Sequence, residues 1–543
     1  MTIPLSTDSF KSKEQLNSNG RLAKHVLKEV ISTGVTEFCL CPGARNAPLV
    51  YPLVNSTQTQ IYHWAEERSA AFFALGRIKS TGKPTAVVTT SGTAAAELLP
   101  AVMEAFYTGL PLILITADRP KRFRGTGAPQ SAEQVGIYSH YTHTSYDLAY
   151  EEECSLGEWK KLGPLHINIC FEEPEDLNCQ SIFLDQYEIR TSPDNLPCFD
   201  FSPSYSAFLE KCTYPFVVVG ALPFSQREAA VRFLFNLNIA FYAEGVSGIR
   251  EDPRLEHLRI QFIDQIWQVA ESEDYPIDGI LRLGGIPTAR LWRDLENQSD
   301  RIQVYSISEH PFSGLSWSNV IQVSFSSFFD RASAIKPPSF YPHTKWKIKD
   351  RYIYQHLLTL FKDEPLAEES LIHALSKIIP KNSKIYLGNS LPIRGWDIAA
   401  TYEARNFHMN CNRGVNGIDG QASTFLGFCS ENQDNWALLG DLTLLYDLVA
   451  PWITAQLPNI SANIIVINNG GAAIFERMFT HPAFRNRHQL SFKPLADLWG
   501  WQYEKWECIP KTINPSQKGK GRLIELIPNA NATARFLEMK AKL

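Results

Sequence analysis

Short β-branched and aliphatic runs recur along this 543-residue chain, each followed by a stretch with helical spacing, and that alternation leaves few folds open. Ala86–Thr90 and Leu112–Thr116 read as continuous apolar strands, the kind that parallel sheets bury on both faces. Before them come a helix at Arg21–Thr33 and a strand at Glu37–Leu40 that runs into the Pro-Gly turn of CPGARNAPL. Gly92–Tyr107 is rich in small residues, as a helix packed tightly on a sheet would be. The pattern restarts with Phe216–Val219 and Gln226–Phe235, then continues through Gly279–Leu283 and Ile302–Ser306. It restarts again with a helix at Glu368–Ile378 and strands at Ile385–Leu387, Trp436–Leu439 and Ile464–Ile467. Polar, proline-bearing stretches at Arg190–Pro203 and Lys336–Lys345 read as linkers. The expected fold is α/β: three doubly wound parallel-sheet domains at 1–190, 205–340 and 346–543.

Composition excludes several classes. Lys+Arg 52 against Asp+Glu 57 gives a net charge of -5, so no basic excess favours nucleic acid. No apolar run reaches the roughly 18 residues that cross a bilayer, and the first residues lack a signal-peptide core. The 10 cysteines include no CxxC pair and read as reduced core residues. The 13 histidines include no HxxxH or HExxH pair, which argues against zinc. A large cytoplasmic protein with small-molecule substrates is expected.

Chemistry concentrates in the last third. Gly440-Asp441 follows one expected strand directly, and Asn468-Asn469-Gly470-Gly471 follows the next. Ligands bind at the carboxyl ends of strands in open α/β sheets. A carboxylate, an amide oxygen and a backbone carbonyl, all offered by these two turns, are hard oxygen donors suited to Mg²⁺ shared with a phosphate. Taken singly, Asp441 is a helix cap and Asn468-Asn469 a turn. Together, with 25 residues between Leu442 and Asn468, they point to a metal–diphosphate site. Residues 472–478 are expected to be helical and to offer N–H groups to the phosphate.

That spacing resembles the metal motif of thiamin-diphosphate-dependent enzymes. Within them the chain is similar to the 2-succinyl-5-enolpyruvyl-6-hydroxy-3-cyclohexene-1-carboxylate synthase family of menaquinone biosynthesis. The strings that carry this are CPGARNAPL, EERSAAFFALG, TTSGTAAAELLPAVMEA, TADRP and GAPQSAEQVG in the first third. GNSLPIR, NRGVNGIDGQASTFLG and GDLTLLYDL carry it in the last, and LRLGGIPTAR in the middle.

The resemblance implies thiamin diphosphate with Mg²⁺ (or Mn²⁺), bound between subunits of a homodimer or dimer of dimers, and a decarboxylating carboligation of 2-oxoglutarate with isochorismate. Glu67 matches the carboxylate that bonds N1′ of the aminopyrimidine, and Ile418 the bulky residue beneath the bent cofactor. The residue pattern alone would let Glu66 serve as well as Glu67, and would read Ile418 as core. Ser91, Gly92, Asn416, Gly440, Asp441 and Asn469 complete the implied cofactor contacts, with Asp441, Asn469 and Gly471 on the metal. Arg45, Arg119, Gln130, Arg290, Ser390, Arg394 and Arg413 match substrate positions, where a guanidinium fork suits a carboxylate. Departures from the family pattern include Ala44 and Asn46 in the Pro-Gly turn, Pro129 before Gln130, and Gly470 and Ala472 after Asn469. His481 and His488 read as loop residues near the site, and the Lys518–Arg522 cluster as a solvated loop. Two rivals are another thiamin 2-oxoacid decarboxylase or acetohydroxyacid synthase-like carboligase, and an inactive binding subunit of the same fold. The arginine set argues against the first, and retention of Glu67, Asp441 and Asn469 against the second.

Overall fold

The computed structural model describes residues 18–173, 184, 189–190, 200–272, 275–338, 343–476, 478–479 and 481–543. Among the described residues 17 strands form three wholly parallel sheets. The first holds β1 (Glu37–Leu40), β2 (Gln60–His63), β3 (Thr85–Thr89), β4 (Leu112–Asp118), β5 (Thr144–Leu148) and β6 (Leu165–Cys170), in the order β2-β1-β3-β4-β6-β5. The second holds β7 (Pro215–Val219), β8 (Phe241–Ala243), β9 (Gly279–Leu283), β10 (Gln303–Ser308) and β11 (Val320–Gln322), ordered β11-β10-β9-β7-β8. The third holds β12 (Lys384–Leu387), β13 (His408–Asn410), β14 (Asn435–Gly440), β15 (Ala462–Ile467), β16 (Gln502–Trp506) and β17 (Gly521–Leu526), ordered β13-β12-β14-β15-β17-β16. The fold is the α/β architecture expected, three doubly wound parallel sheets. Every residue of β3, β4, β9 and β15 is buried, because helices cover both faces.

Three local readings change. The helix expected over Gly92–Tyr107 is two helices, Thr93–Ala96 and Leu99–Thr108, because Pro100 in the first turn of the second cannot extend the first. Most of the first linker, 191–199, lies outside the described residues, and Pro203 opens the helix Ser202–Lys211. Residues 339–342 of the second linker also lie outside them, and the helix Thr344–Asp363 starts directly afterwards. That helix straddles two cores: Trp346 packs with the second sheet, while Ile353, Leu357 and Phe361 pack with the third.

The outer sheets are not independent. Phe72 and Phe73 of the helix Glu67–Thr81 share one apolar cluster with Phe425 and Leu426 of the helix Gln421–Phe428. The two helices touch backbone to backbone. A Cβ on Gly76 would lie 2.0 Å from the Thr424 carbonyl oxygen, and one on Gly427 2.1 Å from that of Phe73. Arg77 adds a hydrogen bond from Nη1 to the Gly427 carbonyl at 3.3 Å. No helix among the described residues is long and apolar enough to cross a membrane.

Candidate active site

In each outer sheet the chain runs one strand outward and then crosses back, so the strand order reverses between β1 and β3 and between β12 and β14. Loops diverge at such a switch point and leave a crevice at the carboxyl ends of the strands. The crevice of the third sheet is a cavity of about 350 Å³ lined by Ser390, Arg394, Arg413, Asn416, Ile418, Gly440, Asp441, Asn469 and Gly471. Those are all the last-third candidates. Ile418 is half-buried on its wall and not sealed in the core.

Asp441 opens a short helix after β14 and is 3% exposed. Its Oδ2 accepts the N–H groups of Gly470 at 3.0 Å and Gly471 at 2.9 Å, which ties the two strand-end loops together. Gly471 must be glycine: its φ is 131°, and a Cβ would lie 2.4 Å from the Arg485 carbonyl oxygen. Asn469 gives its Nδ2 to Glu368 at 3.0 Å, which leaves Oδ1 buried without a hydrogen-bond partner. A buried acceptor without a donor, on the same cavity as a carboxylate, fits a hard cation. Among the described residues no group of three or more His, Cys, Asp or Glu side chains could hold a metal, so a mixed oxygen set is the fitting one. The described residues of 472–478, all but 477, do not form the expected helix. Ala473–Phe475 makes one 3-10 turn, too short to present a helix N-terminus to a phosphate.

Arg394 donates to the Ser390 carbonyl at 2.7 Å, and Arg413 to Asn389 Oδ1 at 3.1 Å. Neither has a carboxylate partner in the hydrogen-bond or ion-pair geometry described. Burial, with Arg413 nearby, lowers the pKa of Arg394. Ser390 and Asn416 hold φ of 73° and 61°, a strained region that non-glycine residues occupy where surrounding structure imposes it.

The first-third candidates gather at the matching end of the first sheet. None of them lines the last-third cavity. Glu66 and Glu67 are separated by geometry. Glu66 is the N-cap and accepts from the N–H groups of Arg68 at 3.1 Å and Ser69 at 2.8 Å. Glu67 begins the helix, and burial, with the charges of Glu66 and Glu97, raises its carboxyl above the ordinary range. Ser91 is 3% exposed with its hydroxyl unpartnered, and the N–H of Gly92 goes to Gln134 Oε1 at 2.8 Å. Arg45 and Arg119 converge on one carboxylate, Glu173, at 3.1 and 2.9 Å. Gln130, at φ 55°, is exposed, with its backbone beside Gly92. Asn46, one of the departures, closes its turn by accepting from the Gly43 N–H and donating to the Cys41 carbonyl.

Arg290 is not among the residues lining the cavity: it is 64% exposed and paired with Asp294 one turn along its own helix. One expectation is corrected. Arg522 is not solvated but 2% exposed within β17, where the adjacent strand offers Asn463 Oδ1 at 2.8 Å. Sequence reasoning also passed over Glu368 and left His488 as a loop residue. His488 Nε2 is 3.2 Å from Asp441 Oδ2. Glu368 lines the cavity, and burial, with Glu369 beside it, pushes its carboxyl up to about 7. A carboxylate at the start of a helix next to a second one, Glu369, was the available signal for Glu368.

Comparison with known proteins agrees with this geometry. Residues 21–137 match the family model for the thiamine pyrophosphate enzyme N-terminal TPP binding domain. A solved structure from Mycobacterium smegmatis, described as a candidate thiamin diphosphate-dependent enzyme, superposes with a TM-score of 0.67 at 13% identity, covering 94% of this chain and 99% of that one. The fold is that of a thiamin-diphosphate-dependent enzyme, with the N-terminal domain of that class over residues 21–137. Similarity then narrows. The chain is 43% identical over 529 residues to the 2-succinyl-5-enolpyruvyl-6-hydroxy-3-cyclohexene-1-carboxylate synthase of Bdellovibrio bacteriovorus, covering 96% of this chain and 98% of that protein. It is 35% identical over 546 residues to the synthase of the same name from Akkermansia muciniphila, with 96% and 98% covered. The chain belongs to the 2-succinyl-5-enolpyruvyl-6-hydroxy-3-cyclohexene-1-carboxylate synthase family.

Proposed function

We propose that this protein is a cytoplasmic carboligase that joins 2-oxoglutarate to isochorismate with loss of CO₂, using thiamin diphosphate and Mg²⁺ or Mn²⁺. One domain is built on each sheet, at 1–190, 205–340 and 346–543. The observation that carries the reading is the last-third cavity, which combines a hard oxygen set with two arginines whose hydrogen bonds go to a backbone carbonyl and an amide oxygen, with no ion pair to a carboxylate among the described residues. Thiamin diphosphate supplies, when bound, the electron sink for decarboxylating a 2-oxoacid and the carbon nucleophile for joining it to an acceptor.

The chain's own groups have separate tasks. Asp441, Asn469 and the Gly471 carbonyl would hold the metal, whose charge would offset that of the diphosphate. Gly440 and Asn416 border the cofactor, and Ile418 gives it an apolar wall. Arg394 and Arg413, with Ser390, bind the carboxylates of 2-oxoglutarate bidentately. Arg45 and Arg119, now sharing Glu173, take the carboxylates of isochorismate, with Gln130 beside them. Glu67, whose carboxyl burial raises above its ordinary range, is the proton-transfer group at the aminopyrimidine edge, and Ser91 and Gly92 border the same ring. Because the first-third group does not line the last-third cavity, the working site takes one group from each of two chains, and a homodimer is the smallest active form.

The test supplies 2-oxoglutarate, thiamin diphosphate and Mg²⁺ and follows CO₂ release with and without isochorismate. Isochorismate-stimulated release with a 1:1 adduct is the expected outcome. Absence of any decarboxylation rejects the proposal in favour of an inactive binding subunit.

A further inference from the structure

The segment from Asn410 to Ile418 leaves β13 and carries Arg413, Asn416 and Ile418 into the cavity, yet its outer half has little of its own to hold it. Val415 is 39% exposed, Asn416 is exposed at φ 61°, and neither belongs to an apolar cluster described above. Side chains from outside the segment fix its course. Asn389, from the end of β12, donates from Nδ2 to the carbonyls of Asn412 at 2.8 Å and Gly417 at 2.7 Å and so holds the base. Lys79, in the last turn of the helix Glu67–Thr81, donates to the Cys411 carbonyl at 2.6 Å. The apex is held from the first domain. Glu104, 2% exposed on the helix Leu99–Thr108, accepts the Gly414 N–H at 2.9 Å on either carboxylate oxygen and the Val415 N–H at 3.0 Å. The approach is close enough to require glycine, because a Cβ on Gly414 would lie 2.8 Å from the Glu104 carbonyl oxygen.

We propose that Glu104 is a positioning residue: its buried carboxylate fixes the Gly414–Val415 apex and thereby aims Arg413, Asn416 and Ile418 at the cofactor and the 2-oxoacid. This rests on the reading that the last-third cavity takes thiamin diphosphate. The chemistry singles out a carboxylate. Two adjacent backbone N–H groups need acceptors, and a carboxylate offers two oxygens and no hydrogen. A glutamine would keep the shape but turn an N–H toward an N–H, so the apex would lose part of its anchor. A carboxylate accepting backbone N–H groups also makes charge-assisted bonds, stronger than a neutral acceptor would.

The experiment uses the full-length chain with Mg²⁺ and compares wild type, Glu104→Gln, Glu104→Asp and Asp441→Ala. Thiamin diphosphate affinity is read by calorimetry, exchange of the 412–418 amides by mass spectrometry without cofactor, and folding by thermal unfolding. Glu104→Gln is expected to weaken the cofactor by about 10–100-fold, the range for residues that orient a ligand-bearing group. It speeds exchange at Gly414 and Val415 while unfolding at the wild-type temperature, and Glu104→Asp regains part of the affinity. Wild-type affinity for Glu104→Gln, with binding lost in Asp441→Ala, overturns the role of Glu104 and leaves the cavity assignment standing. Wild-type affinity in Asp441→Ala overturns both. A lowered unfolding temperature for Glu104→Gln with no recovery in Glu104→Asp makes Glu104 a fold residue and overturns the proposal.

Discussion

Glu66 and Glu67 are chemically alike and adjacent, yet the structure assigns them opposite consequences when neutralised. Glu66, in extended conformation at φ -140° and ψ 125°, caps the helix with bonds of 3.1 and 2.8 Å to two N–H groups. Losing a side-chain cap costs about 1 kcal/mol, so Glu66→Ala lowers stability by that order and leaves the proposed chemistry intact. Glu67 caps nothing. Glu67→Gln loses about 0.3–1 kcal/mol of interaction with the helix dipole and regains part of the penalty for burying a charge. Its stability should stay within about 1 kcal/mol of wild type. Its turnover should not: a lost proton-transfer group costs about 100- to 10,000-fold, or roughly 3–5 kcal/mol of barrier. A penalty that size cannot come from the fold. CO₂ release at saturating substrates and cofactor, beside thermal unfolding of both variants, gives the crossed pattern: one less stable and active, the other stable and slow. A second readout has a fixed sign. Burial raises the pKa of Glu67 and the charge of Glu66 adds to it, so in Glu66→Ala the limb of the pH–rate profile set by Glu67 moves to lower pH. Wild-type turnover by Glu67→Gln, or a limb that moves upward in Glu66→Ala, would refute the assignment.

Two further outcomes concern the scaffold. Gly76→Ala puts a methyl 2.0 Å from the Thr424 carbonyl oxygen and 2.7 Å from the Phe428 nitrogen, both backbone, so no rotamer relieves it. The outer helices must part at a cost of about 1–3 kcal/mol or more, and an unchanged urea midpoint would show that they do not cross so closely. His166 is bonded to Thr116 at 2.8 Å, and burial pushes its pKa down to about 3. Above about pH 6.5 it is neutral folded or unfolded and contributes nothing to pH dependence. As pH falls from there toward 3 the unfolded chain takes up a proton that the folded chain refuses, so stability drops by up to about 1.4 kcal/mol per pH unit. His166→Gln therefore loses less unfolding temperature than wild type between about pH 7 and pH 5, and an equal loss counts against the buried neutral ring.

How much of this was legible in the sequence follows from where each contact partner lies. β1, β9 and the helix Glu368–Ile378 have the bounds expected, because central strands and packed helices carry their burial in consecutive residues. Edge strands β2 and β16 went unseen, since one bonded neighbour leaves them half-exposed and locally like loops. The charged approach to β17 hid it, although Arg522 finds its partners on folding. The same division holds in the site. Asp441 and Asn469 are visible because they directly follow apolar strands. Glu368 and Glu104 are not, because they serve loops 101 and 310 residues away.

The outer sheets share one strand order, 2-1-3-4-6-5, and superimposing that order on the chain aligns the two groups of site residues. After the first strand of each sheet come Arg45 in one and Ser390 with Arg394 in the other. After the second come Glu67 and, in the other, Arg413, Asn416 and Ile418. Ser91-Gly92 and Gly440-Asp441 follow the third, and Arg119 with Gln130 and Asn469 with Gly471 the fourth. The helices that cross at Gly76 and Gly427 are also equivalents, each following the second strand of its sheet. No periodic repeat in the sequence announces this correspondence, because it is kept by topology while the side chains diverge. A switch point supplies a crevice and strand ends whatever residues sit there. Under the function proposed above, one copy carries the oxygen donors and glycines for a metal and a diphosphate together with Arg394 and Arg413 for one acid, and the other a half-buried carboxyl, Glu67, and the arginines for the second acid. Each copy offers half of what the chemistry needs at the same place in its fold. Packing the two through equivalent helices fixes those halves relative to one another within the chain, and in the homodimer proposed above a two-fold axis would bring unlike halves together twice.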